Sequence, residues 1–199
     1  MTRQLGNIKI KLIIALLLLA GAASSSFAQK AALKTNLVSD ALLSPNLAVE
    51  VGLAPKWTLN VAGQFNLWSV DGHKWRHWLA QPEARYWFCR RFQGHFLGLH
   101  AIGGEFNAGN VDFPVKFLGS DFHKLKDRRY EGWGVGAGIG YGYDWILSRH
   151  WNLEAELGIG WIHARFDEYP CAVCGTKLGS GHHNYFGPTK VAVNLEYVF

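Results

Sequence analysis

The chain has 199 residues, with 20 Lys and Arg against 15 Asp and Glu and a formal charge of +5. That length is one domain's worth of sequence. The positive balance does not make it a nucleic-acid binder. Three basic residues, Arg3, Lys9 and Lys11, stand in an acid-free leader, and the remaining 17 basic against 15 acidic residues form no dense basic block.

The leader comes first. A basic front is followed by an apolar run from Leu12 to Ala23 and a small-residue approach through Ser26 to Ala28. This is the pattern of a secretory signal peptide over residues 1–28, cut after Ala28. The mature domain is then residues 29–199. Past the leader, no window offers the roughly 20 consecutive apolar residues of a spanning helix.

Instead, apolar and polar residues alternate with period two, which predicts strands over 32–42, 46–54, 56–68, 78–89, 95–108, 130–146, 151–168 and 188–199. In the third, Trp57, Leu59, Val61, Phe65 and Leu67 oppose Thr58, Asn60, Gln64 and Asn66. The sixth, "YEGWGVGAGIGYGYDWIL", places glycines at 132, 134, 136, 138, 140 and 142 on one face. Trp133, Val135, Ile139 and Tyr141 occupy the other. The seventh opposes Trp151, Leu153, Leu157, Ile159 and Trp161 to Asn152, Glu154 and Glu156. In the eighth, Val191, Val193, Leu195 and Tyr197 oppose Lys190, Asn194 and Glu196.

Alternation fits a soluble barrel with its apolar face inward or a membrane barrel with its apolar face outward. The glycine face favours the second. On the wall of a narrow lumen, it leaves room for long polar side chains from opposite strands and eases closure. The expected turns at 54–56, 90–94 and 148–150 are short, whereas three outer connections, 69–77, 109–129 and 169–187, are long. Aromatics gather at strand ends: Trp57, Phe88, Trp145, Trp151, Tyr197 and Phe199 on one side, and Trp78, Trp133 and Trp161 on the other. Short periplasmic turns, longer outer loops and two aromatic girdles are the pattern of an outer-membrane barrel. The closing "LEYVF" resembles the strand signal read by the barrel insertion machinery. The expected fold is therefore all-β: a closed, eight-stranded antiparallel transmembrane β-barrel located in the cell outer membrane. Eight strands leave an interior just wide enough for side chains, which excludes a wide pore.

The phrases "ALKTNLVSDALLSPNLAVEVGLAPKWTLNV", "HWLAQPEARYWFC", "GHFLGLHAIGGEFN" and "YFGPTKVAVNLEYVF" resemble the family carrying domain of unknown function 3575, found in Bacteroides and its relatives. The resemblance covers essentially the mature chain. It implies a small outer-membrane barrel, a cell-surface role linked in some relatives to fimbrial proteins, and no catalytic residues to carry over.

Candidate sites are few. Cys171 and Cys174, with His182 and His183 after them, lie in the last outer loop. A disulfide suits an external loop; zinc held by the thiolates and a histidine, or unpaired thiols, are the alternatives. Cys89 is expected to be unpaired. Loop 109–129 and the run "HKWRHW" at 73–78 are candidates for contact with a partner or with lipid. His163, Ser180 and several acids are present, but spacing assembles no nucleophile, base and orienting acid, so no enzyme and no cofactor are expected. A barrel enzyme acting on envelope lipid and a soluble periplasmic barrel binding an apolar ligand are the alternative functions. The expected partners are membrane lipid, the insertion machinery during assembly and a surface protein.

Parity also predicts a charge network in the lumen. Asp144, Glu154 and Glu196 face inward at similar depth near the inner mouth, and repelling carboxylates need a cation. Arg85, inward with Gln81 and Glu83, is the candidate, with Gly140 and Gly142 expected to leave space for its side chain.

Overall fold

The computed structural model describes residues 31–70, 73–109, 116–117, 120–121, 128–170 and 175–199. The leader, its cleavage site and most of the 109–129 loop lie outside the described residues. Eight long strands form: β1 (Ala31–Asn36), β2 (Asn46–Ala54), β3 (Trp57–Val70), β4 (His73–Trp87), β5 (Gly94–Gly109), β8 (Arg129–Ile146), β9 (Trp151–Tyr169) and β10 (Gly179–Val198). A two-residue hairpin, β6 (Lys116–Phe117) with β7 (Ser120–Asp121), lies between β5 and β8. The long strands pair antiparallel in the order β1-β10-β9-β8-β5-β4-β3-β2, and β2 returns to β1, so the ring closes and leaves no free edge. No helix among the described residues is long and apolar enough to cross a membrane.

The period-two pattern sets which way each side chain points. Glu50, Asn60, Glu83, Arg85, His100, Glu154, Glu156 and Glu196 are buried inside the ring. Leu47, Val61, Leu99, Ile139, Leu157 and Val191, from neighbouring strands, are exposed on its outside. Of the nine aromatics read from the strand ends, Trp57, Phe88, Trp145, Trp151, Phe199, Trp78, Trp133 and Trp161 are exposed and Tyr197 is half-buried. Among the described residues, the buried apolar ones are fewer than the buried polar ones.

Three boundaries differ from expectation. The first strand ends at Asn36, and α1 (Leu37–Ala41) replaces its predicted second half. Asn36 caps that helix by accepting from Val38 N at 3.1 Å, and Asp40 adds a carboxylate near its start. The predicted outer loop 69–77 is mostly strand, since β3 and β4 pair out to Val70 and His73. The predicted loop 169–187 is also largely strand: β10 begins at Gly179 and pairs with β9 from Glu168 inward. A bulge between Pro188 and Lys190 shifts that register by one residue. Beyond it, His182, Asn184 and Phe186 oppose the outward residues Arg165, His163 and Trp161.

The inner turns are short. Between β4 and β5, Phe92 adopts a left-handed backbone with φ of 60°, and its ring is buried. It packs 6.1 Å from Trp87, which lies 4.7 Å from Phe96. Trp87 Nε1 donates to Thr58 Oγ1 at 2.9 Å, so its polar edge is satisfied. These three rings form an aromatic floor at the inner end.

Candidate functional site

Inward parity from six strands converges above this floor. Lys34 comes from β1, Glu50 from β2, Glu83 and Arg85 from β4, Asp144 from β8, Glu154 and Glu156 from β9, and Lys190 and Glu196 from β10. Each is buried.

Arg85 is the hub. Its Nε donates to Glu83 Oε2 at 2.6 Å. Nη1 donates to Glu50 Oε2 at 2.6 Å and Glu154 Oε2 at 2.7 Å. Nη2 donates to Glu154 Oε1 at 3.2 Å and Glu156 Oε2 at 2.7 Å. The planar guanidinium fork thus serves four carboxylates, a task for which a lysine lacks the donor geometry. Its carbon lies 4.5 Å from the centroid of the Phe96 ring, which adds a cation–π contact.

Two lysines flank the hub. Lys34 Nζ reaches Glu50 at 2.5 Å, Glu154 at 2.6 Å and Glu196 at 3.2 Å. On the other side, Lys190 Nζ reaches Glu83 at 2.6 Å and Glu156 at 2.9 Å. Asn194 donates to Glu154 Oε1 at 2.7 Å. Six carboxylates, on Glu50, Glu83, Asp144, Glu154, Glu156 and Glu196, therefore face three cations, on Lys34, Arg85 and Lys190. An interior with that imbalance demands protons or a bound cation.

The four residues predicted for the network fall as follows. Asp144, Glu154 and Glu196 bring one carboxylate oxygen each within 4.8 Å of one another. Arg85 binds Glu154, while Asp144 is held by Asn152 Nδ2 at 3.0 Å and Glu196 by Lys34. Sequence reasoning missed Lys34, Glu50 and Lys190 as members, although parity alone places each inward. Glu156 was read on the right face without a partner.

The glycine face needs one correction. The space at Gly140 and Gly142 is taken by Glu156 and Phe96, not by Arg85. A Cβ at Gly140 would lie 2.5 Å from Glu156 Oε1, and one at Gly142 would strike the Phe96 ring. Similarly, a Cβ at Gly98 would meet the Glu83 carboxylate. The wall is bare where a carboxylate or ring presses against it.

At the outer ends, His163, Arg165, Ser180 and His182 line an open depression of about 350 Å³. The fold brings His163 and Ser180 together, which spacing did not indicate. Yet Ser180 Oγ donates to Asp167 at 2.9 Å, and His163 Nδ1 lies 2.8 Å from Asn184 Oδ1. The serine is tied to an acid rather than to a histidine base, which is not a nucleophile geometry. Cys89 is free and exposed. Cys171 and Cys174, and with them the disulfide and zinc readings, lie outside the described residues.

The chain belongs to the family described as a protein of unknown function, DUF3575, which it matches over residues 12–199. A comparison with curated proteins finds no match.

Proposed function

We propose that the protein is a small outer-membrane β-barrel with a structural or cell-surface interaction role, rather than a catalytic or conducting one. The observation that carries this reading is the inverted burial: charged groups fill the interior, while apolar side chains cover the outside of every long strand. Water would oppose such an exterior, and a bilayer favours it. Closure of the ring satisfies the backbone groups that an open sheet would expose to lipid. A soluble barrel holding an apolar ligand fits poorly, because the ligand would displace ion pairs buried at both partners.

Two further features favour interaction over transport. The buried charge network and the buried rings of the aromatic floor occupy the inner half, which disfavours passage of a solute. Strands β8, β9 and β10 run for 18, 19 and 20 residues, where about 9–11 cross a bilayer. Their outer ends would stand clear of the membrane and offer a surface to a partner protein at the cell exterior.

Membrane fractionation tests the location. The mature protein is expected in the outer-membrane fraction, retained through a high-salt wash and migrating faster on gels when unboiled. Release by salt without detergent would overturn it. For the role, pull-down from native membranes with 110–128 or 170–178 deleted is expected to lose a specific surface protein. Unchanged partners together with altered envelope lipid would favour an enzyme instead.

A further inference from the structure

Several buried oxygen and nitrogen atoms in and beside the network have no hydrogen-bond partner among the described residues, and three of them meet at one place. Glu83 Oε1, His100 Nδ1 and Glu156 Oε1 have no hydrogen-bond partner among the described residues. Their residues are only 1%, 1% and 2% exposed, so water does not readily stand in for a partner. The three atoms lie within 4.8 Å of one another, with His100 Nδ1 3.8 Å from Glu83 Oε1. That gap is too long for a hydrogen bond. It suits two atoms bound to one ion at about 2.0–2.2 Å each.

Each of these side chains is held from behind. Glu83 Oε2 accepts from Arg85 and Lys190, both at 2.6 Å. Glu156 Oε2 accepts from Arg85 at 2.7 Å and lies 2.9 Å from Lys190 Nζ. His100 Nε2 lies 2.8 Å from Thr189 Oγ1. With the proton on Nε2, donated to that hydroxyl, Nδ1 presents a lone pair toward the two carboxylates. Metal-binding histidines and carboxylates are oriented by just such outer partners.

The wall is cleared for the same three groups. A Cβ on Gly138 would fall 2.6 Å from His100 Nε2, and one on Gly158 would fall 2.9 Å from His100 Cε1. Gly140 and Gly98 make the corresponding room for Glu156 and Glu83. Charge agrees with geometry, since six interior carboxylates exceed three cations and a divalent ion reduces the excess. The neighbouring Asp144, Glu154 and Glu196 cluster is less suited. Both oxygens of Glu154 are already engaged by Lys34, Arg85 and Asn194, and the cluster supplies no nitrogen.

We propose that Glu83 Oε1, His100 Nδ1 and Glu156 Oε1 bind one first-row divalent metal ion, of the zinc class, inside the ring. One imidazole and two carboxylates are a mixed nitrogen and oxygen set that such ions accept and that calcium or magnesium does not favour. The ion ties β4, β5 and β9 together across the interior. The site stands independently of the membrane reading.

The test uses the full mature protein, folded in detergent, stripped with a chelator and titrated with Co2+ and then Zn2+. The expected result is visible d–d absorption that saturates at one equivalent of Co2+ and is displaced by Zn2+. H100A leaves the Arg85 and Lys190 ion pairs in place and is expected to abolish that signal. T189V, which removes only the partner of Nε2, is expected to weaken binding by roughly 10–100-fold. D144N, in the other carboxylate cluster, is expected to leave the titration unchanged. Failure of the wild-type protein to take up Co2+ or Zn2+ would overturn the site and leave a shared proton between Glu83 and Glu156. Uptake that persists unchanged in H100A would assign the metal to other histidines or to the cysteines, and would also overturn it. Should H100A not fold, unaltered affinity in T189V overturns the assignment on its own.

Discussion

Asp144 and Glu154 stand directly opposite one another on β8 and β9, yet of the two Arg85 binds Glu154 alone. The difference lies in reach. Glu154 extends one methylene further into the ring and meets Arg85, Lys34 and Asn194 there. Asp144 stays near the wall, where Asn152 donates to one oxygen and also to the Phe92 carbonyl at 2.9 Å. Through Asn152, Asp144 is thereby coupled to the turn between β4 and β5.

Arg85→Ala is expected to destabilise the folded protein by about 3–5 kcal/mol, because it strands four buried carboxylates that share one guanidinium. Arg85→Lys is expected to recover only part of that loss, since an ammonium cannot span the same four acceptors. Equilibrium unfolding in detergent or lipid measures both. A midpoint unchanged in R85A would remove Arg85 as the hub.

Position along the glycine face is expected to matter more than glycine itself. A Cβ at Gly138 would lie 2.5 Å from the Ile159 carbonyl oxygen as well as against His100, so Gly138→Ala should cost about 1–3 kcal/mol. The nearest atoms to a Cβ at Gly134 are 3.6 Å away, so Gly134→Ala should be tolerated. Paired unfolding curves decide it, and equal losses at both sites would show that steric room is not the reason for the stripe.

Ile139 is 59% exposed on the outward face of β8. In water, Ile139→Arg would be close to neutral. Near the middle of a bilayer, it should cost about 2–4 kcal/mol. Unfolding from lipid vesicles is the informative measurement, and a neutral result there would argue that this face does not meet lipid.

Cys89 is exposed and free, so alkylation of the folded protein should add one label. Unfolding without reductant should add none, and reduction should add two, if Cys171 and Cys174 form the bridge that an external loop permits. Intact mass reads all three steps. Three labels before reduction would exclude the bridge.

Much of this was legible because period two is a strict rule. It assigned Arg85, Asp144, Glu154 and Glu196 to one face and set three of the acids at one depth. It could not say which cation each acid would find, because that depends on chains meeting across the ring. Lys34, on β1, meets Glu154 and Glu196 on β9 and β10, and Lys190, on β10, meets Glu83 on β4, all from strands distant in sequence. Strand ends were the other gap. Residues 179–187 hold three glycines and two histidines and carry no apolar alternation, yet their backbone is paired by β9. Asn36 ended the first strand early because its side chain caps α1.

The bulge at Pro188 divides β10 into two storeys with opposite phase. Below it, even-numbered residues such as Lys190, Asn194 and Glu196 belong to the interior; above it, even-numbered residues belong to the outside. A one-residue offset is thus absorbed at a single joint, and nothing above it propagates into the charged storey below. The upper storey can lengthen, shorten or change its residues while the lower one keeps its ion pairs. The molecule is built as a fixed base carrying an exchangeable top, and Pro188 marks the seam at which tops could be grafted from one relative to another.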